Sequence, residues 1–189
     1  MNKRALLTLA TVIAIASAAF AETVSYAEGS YTIPNYMTEV PANDVRGYDS
    51  NPRGRSFMAW DSNKHLFLSV TSYLDNSQIG DERTWAAVAS APEQQLIQEM
   101  QASFAGGPAA NKPTVESVKP DLRAHKIISI ATINDSGTIL KLITGVLILN
   151  KRKSLHLEIY VDKDRFEELL PEVNRIVDSL SANPEFQLR

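Results

Sequence analysis

Three histidines, His65, His125 and His156, are the side chains of this 189-residue chain best suited to proton transfer or metal ligation near neutral pH. His65 follows Asp61 and Asn63, so one tight turn could hold Asp61 and His65 to a single cation. His125 and His156 fall on separate predicted strands that could approach one another. None of the three has the His-x-His or His-x-x-x-His spacing that aims two imidazoles at one metal, so no motif supports histidine chemistry.

Nucleophiles are no better supplied. No serine stands in Gly-x-Ser-x-Gly or Ser-x-x-Lys, and the chain has no cysteine. That absence excludes thiol catalysis, Fe–S centres, Cys-ligated zinc, disulfide frameworks and attachment of a lipid to an acceptor cysteine. Ala105-Gly106-Gly107-Pro108-Ala109 is glycine-rich but follows a predicted helix, so no helix N-terminus would point at a phosphate there. It reads as a helix stop. Asp162 and Asp164 lack the remaining ligands of a calcium loop and suit a helix cap better.

Binding chemistry has more to work with. Lys151-Arg152-Lys153 forms a basic hairpin tip, and Arg46, Arg53 and Arg55 lie in or beside a long loop. Such charges are often only solvated; their functional use would be contact with an acidic protein or with anionic headgroups, worth about 1 kcal/mol per cation near a membrane surface. Trp60, Trp85 and Tyr73 are the aromatics able to anchor a partner, though their spacing equally suits a core. The whole chain sets 19 Lys and Arg against 22 Asp and Glu, and 44% of it is apolar. Neither intrinsic disorder nor a nucleic-acid-binding surface fits those proportions.

Residues 1–21 have the form of a secretory signal peptide. Lys3 and Arg4 precede an uncharged apolar run over 5–20, and Ala19-Phe20-Ala21 offers small residues to a signal peptidase. Cleavage is expected after Ala21, with the periplasm as destination; the alternative is an uncleaved segment anchoring the chain in the inner membrane. Removing Lys3 and Arg4 leaves 17 cations against 22 acids, an acidic domain of ordinary size.

The elements that must position these groups follow from periodicity. Residues 22–30 read as a polar lead, and Tyr31-Thr32-Ile33 as a strand stopped by Pro34. Residues 41–55 read as a surface loop long enough to carry function. Alternation predicts strands over 56–61 and 65–74, joined by Asp61-Ser62-Asn63-Lys64, with Leu66, Leu68, Val70 and Leu74 on the core face. Apolar residues from Trp85 to Phe104 recur with helical spacing. Ser90-Ala91-Pro92-Glu93 divides them into a short helix feeding a longer one, with Ser90 as cap and Glu93 completing a capping box. Strands follow over 115–120, 123–133, 138–149 and 155–161, with turns at Asn134–Gly137 and Asn150–Lys153. A final helix spans about 164–181, capped by Asp164 with Glu167 and broken or kinked near Pro171. Strands, helix, meander and helix in that order give an α+β domain, an antiparallel sheet flanked by two main helices.

Several segments resemble the PsbP-like fold family, which includes the photosystem II extrinsic P subunit and DcrB-type bacterial periplasmic proteins. Tyr31-Thr32-Ile33-Pro34 looks like that family's first strand running into a proline. Residues 67–73 look like its edge hairpin before the long helix. The meander over 123–161, followed by Phe166 and Ile176-Val177-Asp178-Ser179-Leu180, looks like its closing half. The resemblance implies an α/β/α sandwich and a non-enzymatic binding or assembly role, with no catalytic residue and no cofactor to carry over.

Two functions are therefore expected. The first is a periplasmic accessory protein that binds another protein of the cell envelope, or the membrane face, through loops at the sheet rim. Arg46, Arg53, Arg55, Lys151, Arg152 and Lys153 would make the contact. The second is a small-ligand or metal-binding protein using Asp61 and His65. Nucleic acid is not an expected partner.

Overall fold

The computed structural model describes residues 21–41, 54–77, 79, 81–104, 112–135 and 137–188. Residues 1–20 of the expected signal, most of the loop over 41–55 with Arg46 and Arg53, and the Gly106-Gly107-Pro108 stop lie outside the described residues.

A seven-stranded antiparallel sheet forms the centre. Its strands are β3 (Thr38–Val40), β4 (Arg55–Trp60), β5 (Leu66–Asn76), β6 (Thr114–Asp121), β7 (Lys126–Asp135), β8 (Thr138–Leu149) and β9 (Lys153–Asp162). They are ordered β3-β4-β5-β9-β8-β7-β6, so β9 is the middle strand. A smaller sheet joins β1 (Ala21–Ser25), β2 (Gly29–Pro34) and β10 (Ser181–Ala182), ordered β1-β2-β10. The helices are α1 (Glu82–Ser90), α2 (Glu93–Ser103) and α3 (Phe166–Ser179).

The central strand shows why the chain folds this way. Leu155, Leu157, Ile159 and Val161 alternate along β9 and are all fully buried. They pack with Leu68 and Val70 of β5, Tyr31 and Ile33 of β2, and the α3 stripe of Phe166, Leu169, Val173, Ile176 and Val177. Each such side chain contributes roughly 1.5–3 kcal/mol by leaving water. On the opposite sheet face α1 and α2 cover β6 to β8. Leu96 meets Val115, Val118, Ala131 and Leu142 there, and Trp85 packs with Ile148 and Leu188. Helices on both faces make the α+β sandwich that the strand order led us to expect.

Polar groups fasten the two sheets together. Tyr26 and Tyr31 each place a hydroxyl 2.7 Å from the buried Ser72 Oγ, and burial pushes both phenols above their ordinary range. The buried Lys126 ammonium donates to Val177 O at 3.1 Å and Asp178 O at 3.2 Å, placing a cation at the carbonyl end of α3. Gly29 has no room for a side chain, because a Cβ there would stand 2.6 Å from Ser181 O on β10.

Several local expectations are corrected. The polar lead over 22–30 holds most of β1 and the start of β2; β1 is mostly exposed because it forms the edge of the small sheet. Residues 123–125 are turn, not strand, and His125 takes a left-handed φ of 51°. Ser90 does not cap α2: its hydroxyl donates back to Ala87 O at 3.1 Å, and Pro92 holds the cap position without a side-chain bond. Asp162, not Asp164, supplies the cap before α3, accepting from Asp164 N at 2.9 Å. Pro171 lies inside an α3 that continues as one helix. The N–H it lacks would have served the carbonyl of Glu167, and both residues are exposed, so the missing bond falls on the solvent side of the helix. The segment likened to an edge hairpin is interior, since β5 lies between β4 and β9 and its middle is buried on both faces. Pro120 sits in β6, an edge strand, where a missing amide hydrogen is tolerated.

Candidate functional site

The register gathers the four described candidate cations, Arg55, Lys151, Arg152 and Lys153, at one end of the large sheet. Asn76 of β5 pairs with Lys153 of β9, and Leu149 of β8 pairs with Lys153 from the other side. The hairpin tip of Asn150, Lys151 and Arg152 therefore projects beyond that end. The β6–β7 turn lies beside it, since Ile148 N donates to His125 O at 2.9 Å. Arg55 enters from the same direction, level with Ser72 and thus with Leu157. Asp61 and His65 stand at the opposite end, in the β4–β5 turn, so the two expected sites are separate.

The cations at the basic end are not equivalent. Arg55 donates through Nε and Nη2 to Glu39 at 2.8 and 3.0 Å and lies over the Phe57 ring, so its charge is already matched within the β3–β4 pair. The guanidinium holds the Glu39 carboxyl below its ordinary range. Lys153 is 2.6 Å from Glu28, an acid only 7% exposed, and ties the β1–β2 turn to the hairpin. Lys151 and Arg152 are exposed. Lys151 reaches over the Phe186 ring at 5.0 Å, and Arg152 gives its carbonyl to Ser77 N. Both have left-handed backbones, with φ of 57° and 55°. Leu122 in the neighbouring turn is 59% exposed.

At the far end Asp61 acts as a turn former. Its Oδ1 accepts from the amides of Asn63 and His65 at 2.7 and 2.9 Å, and those bonds hold its carboxyl below the ordinary range. His65 Nδ1 stands 4.0 Å from Oδ2 with the imidazole largely exposed. Among the described residues no third His, Asp or Glu joins them as a metal would require. His125 leans on Trp85 at 5.5 Å, while His156 stacks on Tyr73 at 4.7 Å, so these two histidines serve different aromatic partners. Of the three candidate aromatic anchors, Trp85 is buried, Tyr73 half-buried, and Trp60 half exposed at the end of β4.

One polar group lay outside the expected sites. Glu158, at the middle of β9, accepts from the hydroxyls of Tyr73 at 3.2 Å and Tyr160 at 3.1 Å. Burial raises its carboxyl above the ordinary range despite these bonds, and burial lowers the neighbouring His156 imidazole. The alternation of His156, Glu158 and Tyr160 against apolar neighbours was visible in the sequence. Their convergence with Tyr73 required the β5–β9 register.

Glu158 gives a prediction with a definite sign. Above the ordinary carboxylate pKa the unfolded chain releases this proton before the folded one does, so folding stability falls as pH rises until Glu158 ionises in the fold. His156 acts oppositely, costing stability as pH falls below the ordinary imidazole value. Tyr73, Tyr160 and Asp75 are the other titratable groups facing the pair. Glu158→Gln should therefore unfold at higher temperature than the parent at pH 8, with the gain shrinking toward pH 4; thermal unfolding across that range checks it.

A mainly antiparallel sheet with helices on both faces and a closing helix after the meander defines a PsbP-like fold. The solution structure of cyanobacterial PsbP (CyanoP) from Synechocystis sp. PCC 6803 is similar, with a TM-score of 0.55 and 9% identity over 88% of this chain and 96% of that one. The crystal structure of LpqN, described as involved in cell envelope biogenesis of Mycobacterium tuberculosis, gives a TM-score of 0.49 and 10% identity over 87% and 91% of the two chains. No protein-family model and no curated protein matches the sequence.

Proposed function

We propose that this chain is a non-enzymatic interaction protein of the cell envelope, exported to the periplasm by a cleaved signal over residues 1–21. It binds an acidic partner protein through the basic end of its sheet. The observation carrying this reading is the pair Lys151-Arg152. Two exposed cations occupy adjacent left-handed positions, where each non-glycine residue costs about 1 kcal/mol and Asn or Gly would be easier. Stability given up at an exposed turn is a common mark of a functional surface. Arg55 and Lys153 frame the surface through their acid partners, and Arg46 and Arg53, which lie outside the described residues, are assigned to the same contact in this reading.

The reading predicts opposite effects on stability and binding. Replacing Lys151-Arg152 by Asn-Gly should raise the unfolding temperature by about 2–4 °C, as for ~1 kcal/mol in a domain of this size. The same change should release the protein from its complex in gently solubilised envelopes, followed by native mass spectrometry. If the native mass is the same for parent and variant, the basic end is not the contact. Co-sedimentation of the parent with phosphatidylglycerol vesicles, but not with phosphatidylcholine, would instead assign the surface to the membrane face.

A further inference from the structure

The chain that follows β10 runs as a strap along the basic hairpin. Asn183 fixes its start: the backbone N–H donates to Glu28 O at 2.9 Å, and Nδ2 donates to Ala27 O at 2.7 Å. Those carbonyls belong to the β1–β2 turn, whose Glu28 carboxylate also holds Lys153. A single 3₁₀ turn over Pro184–Phe186 then brings the strap to the hairpin. Leu149 bridges to Gln187, and Asn150 N donates to Phe186 O at 3.0 Å. Asn150 Nδ2 donates to Glu185 O and Gln187 O at 2.8 and 3.2 Å. Leu188 secures the far side, buried against Trp85 and Ile148.

The aromatic ring of the strap meets the cations. Phe186 is half-buried against the main core, with its ring centroid 5.0 Å from the Lys151 ammonium and 5.8 Å from that of Lys153. Such contacts leave the positive charges intact while limiting where the long side chains can go. The backbone needs the same help. Lys151 and Arg152 both hold left-handed φ, a conformation that non-glycine residues keep only where their surroundings enforce it. That enforcement comes from the strap, from Ser77 N donating to Arg152 O at 2.9 Å, and from Glu28 on Lys153. Keeping Asn150 Nδ2 on two strap carbonyls also leaves its buried Oδ1 without a partner, a cost the fold accepts at this contact.

We propose that residues 183–188 are a positioning strap for the partner-binding surface. With Phe186 at its centre, the strap sets the Lys151-Arg152 turn and the direction of the Lys151 cation before an acidic partner arrives. The inference rests on the reading of this hairpin as the contact and adds what tunes its affinity. A cation already held in place loses less freedom on binding than one that sweeps through solvent. Phe186 is therefore a positioning residue that acts through Lys151.

The test titrates the ¹⁵N-labelled protein with hexa-glutamate peptide, with hexa-glutamine as the uncharged control, in the parent, Phe186→Leu and Phe186→Tyr. Heteronuclear ¹H–¹⁵N Overhauser effects report the order of the turn, and amide shifts report binding. In Phe186→Leu, Lys151 and Arg152 should lose order while β5 and β9 keep theirs. Hexa-glutamate should then bind about threefold more weakly, the size of an exposed cation–π contact. Phe186→Tyr keeps the aromatic face and should retain both properties, which separates this role from apolar packing that leucine also supplies. A turn as ordered in Phe186→Leu as in the parent, or equal affinity in the two, would overturn the strap and leave the basic surface standing. If the parent shows no saturable shift at Lys151 and Arg152, or the same shift with hexa-glutamine, the reading of the basic surface fails and this inference with it.

Discussion

Lys153→Met should cost the domain about 3 kcal/mol, far more than either neighbouring cation on the same hairpin. Lys153 is not a free surface charge: its ammonium lies 2.6 Å from Glu28 Oε1, and that carboxylate is 7% exposed. Removing one member of a pair so enclosed leaves a charge without its partner, which costs roughly 3–5 kcal/mol when burial is complete. Lys153 retains 37% of its side-chain exposure, which argues for the lower end of that range. The ammonium also lies 5.8 Å from the Phe186 ring centroid, a contact that methionine loses while keeping an apolar stem of similar length. Urea unfolding of the parent, Lys153→Met, Glu28→Gln and the double variant measures the coupling directly. The double variant should recover more than half of the loss. A loss under about 0.5 kcal/mol would make the contact an ordinary surface pair.

The second large effect is expected at the centre of the sheet. Leu157 is fully buried on the middle strand, opposite Gly145 on β8 and Ser72 on β5, within the cluster that includes Val177 and Leu180. Gly145 has no side chain to move into a vacated space, and Ser72 is held by two tyrosine hydroxyls. Leu157→Ala should therefore leave most of its cavity open and cost about 3–4 kcal/mol, the upper part of the usual range for such truncations. Thermal unfolding should fall by about 10 °C. A loss below about 1.5 kcal/mol would show that neighbouring side chains collapse onto the site.

The large sheet was legible where alternation and turn chemistry agree. β8 spans residues 138–149 as expected, and the Asn134–Gly137 turn is closed by Gly137 N donating to Asn134 Oδ1, with φ of 94° at the glycine. Short edge pieces were not legible. β1, β3 and β10 hold five, three and two residues, too few for a period to show, and tertiary pairing decides them. The caps at Ser90 and Asp164 were misplaced by a residue or two because several polar side chains compete at each helix start. Of the candidate site, the residue types of the basic hairpin were readable. That Arg55 and Lys153 are matched by Glu39 and Glu28 was not, since those acids lie far away in sequence or across a strand pair. The Glu158 cluster escaped notice for a similar reason: its members come from two strands whose register the sequence does not print.

The central claim, that the basic end is the partner-binding surface, is tested most directly by photo-crosslinking in living cells. Leu122 and Ile139 are both exposed and stand at opposite ends of the sheet, and neither bears a charge that the proposal needs. A photoreactive amino acid at 122 should trap a discrete envelope protein, and the adduct should vanish when Lys151-Arg152 becomes Asn-Gly. The same probe at 139 should leave the chain uncoupled. Adducts from 139 alone, or adducts from 122 that persist in the Asn-Gly variant, would contradict the account.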